Sequence, residues 1–204
     1  MSSLRKMKRK ETVPKINKAK KYTKELLTRE NVAKAALNTR KNKIYKHCVA
    51  VVNTCVFMVL RDVFKYSAHK CCMLCGRMGN ISECIRLGLV HPFDILSTIQ
   101  NEVCWEYPRR KVNEVNLSDL SAGGMTDGLV SQEKERAYEQ MEIMWLEALH
   151  LQEGFSKVRL VRFLHSLRAK IKEYTLDKAR AVNDWLASRG IEFVGFNELI
   201  EMEI

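Results

Sequence analysis

The chain has 204 residues, 46% of them hydrophobic and 29% charged, with only 3 Pro and 9 Gly. This is the balance of a soluble globular protein rich in helix formers, and it excludes a collagen-like or low-complexity chain. The net charge of +11 is segregated: residues 1–46 hold 16 Lys or Arg against Glu11, Glu25 and Glu30, a net of +13, while the other 158 residues hold 19 bases and 21 acids, a net of −2. A nearly neutral body with a basic arm points to a polyanionic partner.

Residues 1–27 are rich in Lys and Arg, poor in large apolar side chains and interrupted by Pro14. They cannot bury enough surface to offset ordering entropy, so a flexible basic arm is expected. Thr28 is placed to N-cap a helix starting at Arg29. That helix meets no breaker before Ser67 and is either continuous or bent near Asn38–Asn42. Its second half repeats Cys48, Val49, Val52, Cys55, Val56, Val59, Leu60 and Val63 at spacings of three and four, the signature of a core-facing helix. The apolar run Cys48–Leu60 is 13 residues long, short of the roughly 20 needed to cross a bilayer. No secretory signal is visible, because no apolar stretch follows the basic N-terminus.

Ser67 is expected to cap a second helix, Ala68–Leu87, stopped by Gly88. A short third helix is expected over Asp94–Val103. Composition marks Tyr107–Val130 as a linker, with Pro108, Gly123, Gly124 and Gly128. A helix over Ser131–Gln152 follows, then helical pattern from Ser156 to Ser188 in two pieces meeting near Tyr174–Leu176. Gly190 ends it, and a last short helix is expected over Glu198–Glu203. The expected organisation is all-α: 1–27 a basic flexible arm, 28–106 a first helical unit with a long N-terminal helix, 107–130 a linker, and 131–204 a second helical unit.

The two units look related. Lys65–Met78 and Gly154–Leu167 share a plan at an offset of 89 residues: Tyr66 answers to Phe155, Ser67 to Ser156, Lys70 to Arg159, and Cys71, Leu74, Cys75 and Met78 to Leu160, Phe163, Leu164 and Leu167. Each stretch reads as a tight corner opening an amphipathic helix through a serine N-cap, and the pair reads as a possible internal duplication. Forward of the corners an insertion of about 14 residues is needed before Gly88 meets Gly190.

Gly154, Phe155, Ser156, Lys157, Arg159, Leu160, Arg162 and Phe163 form a motif, partly repeated by Tyr66, Gly88, Val90 and Asp94, that resembles small all-helical proteins encoded by bacteriophages and prophages. Lys65 stands where that pattern has Gly, and Cys71 where it has Leu. The resemblance covers about half the chain and implies a viral, phage-encoded context without an activity.

The candidate nucleic-acid contacts are Lys8, Arg9, Lys10, Lys15, Lys18, Lys20, Lys21 and Lys24 in the arm, with Lys34, Arg40, Lys41, Lys43 and Lys46 beyond it. Six phosphate contacts would give a salt slope near −5. The start of the helix after the second corner, with Lys157, Arg159 and Arg162, is placed like the reading helix of a helix-turn-helix DNA-binding protein; the plainer account is a helical hairpin with a basic wet face. Cys72-x-x-Cys75, with Cys71, Cys84 and His69 nearby, has the spacing of zinc ligands, but a structural site pairs two such motifs and only one occurs. Buried cysteine acting as a small hydrophobe accounts better for Cys71 and Cys75. All seven cysteines lie between Cys48 and Cys104 among apolar residues, which is free-thiol usage in a reducing compartment.

No glycine-rich phosphate loop, His-Glu-x-x-His or Gly-x-Ser-x-Gly occurs. His47, His69, His91, His150 and His165 show no evident catalytic partner, and Glu192, Glu198, Glu201 and Glu203 read as a solvated helix face. The expectation is therefore a non-catalytic protein without cofactor or metal, working in the cytoplasm of a bacterial host without a membrane and binding nucleic acid. The competing expectations are an effector docking on an acidic surface of a host protein, and a particle component touching packaged genome.

Overall fold

The computed structural model describes residues 3–110, 127–193 and 196, and the side chains of 31, 32, 34–110, 128–193 and 196. The described residues are all-helical, in the order α1 (Ser3–Asp62), α2 (Ala68–Arg86), α3 (Pro92–Val103), α4 (Asp127–Glu153), α5 (Lys157–Lys172) and α6 (Leu176–Ala187). Two compact units divide the chain, Met1–Asn42 and Lys43–Ile204. The first consists of the N-terminal part of α1.

Helix α1 begins at Ser3, not at Arg29, so Thr28 is an interior residue and not a cap. Lys, Arg, Ala, Glu and Leu are all good helix formers, and their density in the first thirty residues accounts for the earlier start. The expected final helix, Glu198–Glu203, and most of the expected linker lie outside the described residues; the last four linker positions, 127–130, belong instead to α4, which starts ahead of the expected Ser131.

In the second unit, two helices are apolar on nearly every side. Ala50, Val51, Val52, Cys55, Val56, Phe57, Met58, Val59 and Leu60 of α1 are buried, as are Met141, Ile143, Met144, Trp145, Leu146, Ala148 and Leu149 of α4. A helix buried all round belongs at the centre of a core. The two are tied by Trp145, whose indole N–H donates to Asn53 Oδ1 at 3.0 Å. Helices α2, α3 and α5 pack on α4. By length and composition, the stretch Lys34–Asp62 of α1 is apolar enough to cross a membrane, which the 13-residue run alone is not; 67% of its apolar window is buried inside the fold.

The two corners have the same backbone. Lys65 and Gly154 are left-handed, with φ of 60° and 59°. Beyond them the Tyr66 N–H donates to Leu60 O at 2.9 Å and the Phe155 N–H to Leu149 O at 3.2 Å. Ser67 and Ser156 then take the N-cap positions of α2 and α5; Ser67 accepts from the Lys70 N–H, while the Ser156 hydroxyl makes no capping bond. The exits match as well. Gly88 and Gly190, both at φ 70°, close α2 and α6. Leu89 and Ile191 donate back five residues to Cys84 O and Leu186 O, the Schellman arrangement.

Between corner and exit the halves differ, since one helix, α2, stands against two, α5 and α6. The break between them falls at 173–175, and Thr175 caps α6 by accepting from the Lys178 N–H. Helix α3 starts two residues earlier than expected because Pro92 takes its first position and His91 caps it, with Nδ1 accepting from the Phe93 N–H.

Candidate nucleic-acid interface

Of the arm candidates, Lys8, Arg9, Lys10, Lys15, Lys18, Lys20, Lys21 and Lys24 lie on the α1 backbone, with side chains outside the described residues. Farther along α1, Lys34, Arg40, Lys43 and Lys46 are exposed and Lys41 is half-buried. Successive residues of a helix turn by about 100°, so these five cations spread around α1 and do not form one stripe.

The three candidates at the second corner are exposed but not idle. Lys157 Nζ donates to Cys104 O at 2.8 Å, closing the C-terminal end of α3. Arg159 lies 3.9 Å above the Phe155 ring centroid and 5.7 Å from that of Phe64. Arg162 stands 5.8 Å from the Phe64 centroid. These guanidinium planes are held by the aromatic cluster where the corners meet: Phe64 and Phe155 are 5.0 Å apart, and Tyr66 stacks edge-on to Phe155.

The first corner carries its own charged group. Glu153 accepts from the Tyr66 hydroxyl at 2.7 Å and pairs with Lys70 at 2.5 Å. Partial burial would raise the Glu153 pKa, but the bonds from Lys70 and Tyr66 outweigh it and hold the carboxyl below its usual range. Beside this pair a cleft of about 290 Å³ is lined by Ser67, His69, Lys70, Met73, Leu74, Arg77 and Glu153. Its cations are already engaged, Lys70 by Glu153 and Arg77 by Gln152.

Sequence reasoning missed two arrangements. Glu142 is fully buried and accepts from Tyr107, Arg110 and Arg168. Its partners come from two other parts of the chain, the segment after α3 and helix α5, so no local spacing announces it. His150, read from sequence as having no evident catalytic partner, sits 2.7 Å from Glu102 through Nε2 and 3.0 Å from Phe155 O through Nδ1. Both ring nitrogens are thus used to join α3, α4 and the second corner. Among the described residues, no group of three or more His, Cys, Asp and Glu could hold a metal ion. Cys71 is buried among apolar side chains, whereas Cys72 is exposed.

No protein-family model, curated protein or solved structure matches this chain. The functional reading therefore stands on charge and geometry.

Proposed function

We propose that this chain is a non-catalytic nucleic-acid-binding protein that contacts phosphates through its basic segment, residues 1–46. The phage context and the bacterial cytoplasm enter this reading through the resemblance of the second corner. The observation that carries it is the charge segregation, +13 in that segment against −2 in the rest. Affinity of this kind is largely electrostatic and steep in salt. It is supported by the exposure of Lys34, Arg40, Lys43 and Lys46 along α1. The likeness of the two corners and exits supports descent of the halves from one duplicated unit.

The test is a titration of duplex DNA, single-stranded DNA and RNA across a salt series. It compares the natural chain with a full-length variant in which Lys8, Arg9, Lys10, Lys18, Lys20 and Lys21 are changed to Gln. Six lost contacts should make the slope shallower by about five. Equal slopes for the two chains would remove the segment from the interface, and no binding to any of the three would reject the reading.

A second reading, docking on a host protein, has one specific observation in its favour. Leu87, Leu89, Val90 and Phe93 are exposed together around the α2–α3 turn, whereas Ile191, Phe193 and Phe196, which follow the matching turn after α6, pack on the core. Contiguous exposed apolar side chains of this kind mark interaction surfaces.

A further inference from the structure

We propose that the outward row of α5, Arg162, His165 and Lys172, is a second phosphate-contacting face, separate from the basic segment at residues 1–46. This rests on the nucleic-acid reading and deepens it by naming a site on the folded body.

After its first turn, the exposed positions of α5 are 162, 165, 169 and 172, and Val158 extends the same line backward. Their spacing of four, three, four and three places them in one row. Leu160, Phe163, Leu164 and Leu167 occupy the opposite, buried side. The row runs about 15 Å from Arg162 to Lys172, at 1.5 Å per residue. A nucleic-acid strand advances about 3.4 Å per phosphate along a duplex axis, so a row of this length passes roughly four of them.

Three features favour phosphate over other partners. First, α5 carries Lys157, Arg159, Arg162, His165, Arg168, Lys170 and Lys172 and no acidic residue at all. The cations turned toward the body are consumed there: Arg168 pairs with Glu142, Lys170 with Asp62, and Lys157 with a carbonyl. Among the described residues no ion pair engages Arg162, His165 or Lys172, and Glu173 at the end of the helix pairs with Lys178.

Second, Ala169 lies within the row and half-buried Ser166 beside it. Small side chains there let a backbone approach closely. Third, the row offers none of Phe, Tyr or Trp and only two apolar side chains, Val158 and the small Ala169, where a protein partner would need large buried apolar or aromatic anchors. Arg162 is also pre-positioned by its place beside Phe64, and holding a guanidinium in advance reduces the ordering cost of binding. Contacts of this type fix a protein on nucleic acid without reading its sequence.

The test uses the full chain and a labelled 30-base-pair DNA duplex in a salt series at pH 7.5. His165→Glu with Lys172→Glu alters the row at two exposed positions that hold nothing in place. Arg86→Gln with Arg180→Glu, at exposed positions on α2 and α6, lowers the total charge by the same amount and serves as the control. The row variant is expected to lose at least about tenfold in affinity at low salt, with a slope shallower by one to two, while the control changes less than about threefold. Equal behaviour of the row variant and the control, with the natural chain binding tightly, would overturn this inference and leave the basic segment as the interface. Binding of single strands but not of the duplex would also overturn it. Failure of the natural chain to bind duplex, single strand or RNA would reject the nucleic-acid reading and the α5 face together.

Discussion

Lys70 and Arg159 occupy matching places at the two corners, and each reaches across to the other one. Lys70 lies 4.1 Å over the ring of Tyr66, four residues before it, and pairs with Glu153. Arg159 lies 3.9 Å over the ring of Phe155, again four residues before it, and extends to Phe64. Glu153 and Phe64 are themselves matching positions, each just before the left-handed residue. The exchange is reciprocal, and the corners are held by each other.

Phe155 is the residue this contact depends on most. It is fully buried and meets both Phe64 and Tyr66. Phe155→Ala should cost about 3–5 kcal/mol in urea unfolding, as for a large aromatic removed from a packed core. Arg159→Ala removes one partly exposed cation–aromatic contact and should cost about 1 kcal/mol or less. Comparable losses in the two variants would contradict this division between core and rim.

The left-handed residues give an opposed pair of expectations. Lys65 adopts φ 60° with a side chain that disfavours it, whereas Gly154 adopts φ 59° freely. Lys65→Gly should therefore stabilise by about 0.5–1 kcal/mol, the relief of strain being partly offset by the greater freedom of glycine when unfolded. Gly154→Ala should destabilise by about 1 kcal/mol, although open space surrounds its Cα. Urea midpoints moving in the same direction for both would show that the corners differ in more than side chain.

The elements that could be read from the sequence are those whose causes are local. Apolar spacing located α2, α4 and the α5–α6 pair; Ser67 and Gly88 marked the ends of α2 within a residue or so, whereas α4 begins at Asp127, four residues before the expected Ser131. The start of α1 was misplaced because Pro14 and the charge density argued against helix while intrinsic propensity argued for it. The site was less legible. Lys157, Arg159 and Arg162 were visible as cations, but their use inside the fold depends on Cys104, Phe155 and Phe64, and of these only Phe155 is near in sequence. Glu142 and the His150–Glu102 contact were missed for the same reason, since the Glu142 partners lie 26 to 35 residues away and Glu102 lies 48 from His150.

The cysteines should separate by accessibility. Burial pushes the Cys48 thiol up to about 11 and those of Cys55, Cys71 and Cys75 up to about 12, while Cys72 and Cys104 are exposed. Thiolate is the reactive form, so an aromatic disulfide reagent at pH 8 should label Cys72 and Cys104 first, leaving these four thiols until the chain unfolds. Rapid labelling of Cys71 or Cys75 in the folded protein would rule out their role as core hydrophobes.

Glu142 should be the most sensitive charged position. It accepts from Tyr107 at 2.5 Å, from Arg110 at 2.6 Å and from Arg168 at 2.8 Å, and so fastens the segment after α3 to α4 and α5. Replacement by Gln would leave the half-buried Arg168 guanidinium without a counter-charge and Arg110 with Glu135 alone, which should cost about 3 kcal/mol. Changing Glu142, Arg110 and Arg168 together to Met should cost less than the single change, because no buried charge is left behind. A triple variant less stable than Glu142→Gln would mean that the network's hydrogen bonds outweigh its desolvation.

His150 should make stability depend on pH near neutrality. The bond to Phe155 O, followed by the bond to and charge of Glu102 and the charge of Glu147, raises its pKa above the ordinary value despite partial burial. A raised histidine stabilises the fold fully below its unfolded pKa, and that contribution disappears as pH rises through the folded one. Glu147 is also raised, by burial, with His150 acting in the opposite direction, so its contribution too falls as pH rises, but from the carboxylate range upward. Thermal melting of the natural chain should therefore decline as pH rises above about 6.5, and His150→Gln should flatten that decline while leaving the acid limb in place. A decline that persists unchanged in His150→Gln would assign the pH dependence to another group and reduce the His150–Glu102 contact to a surface hydrogen bond.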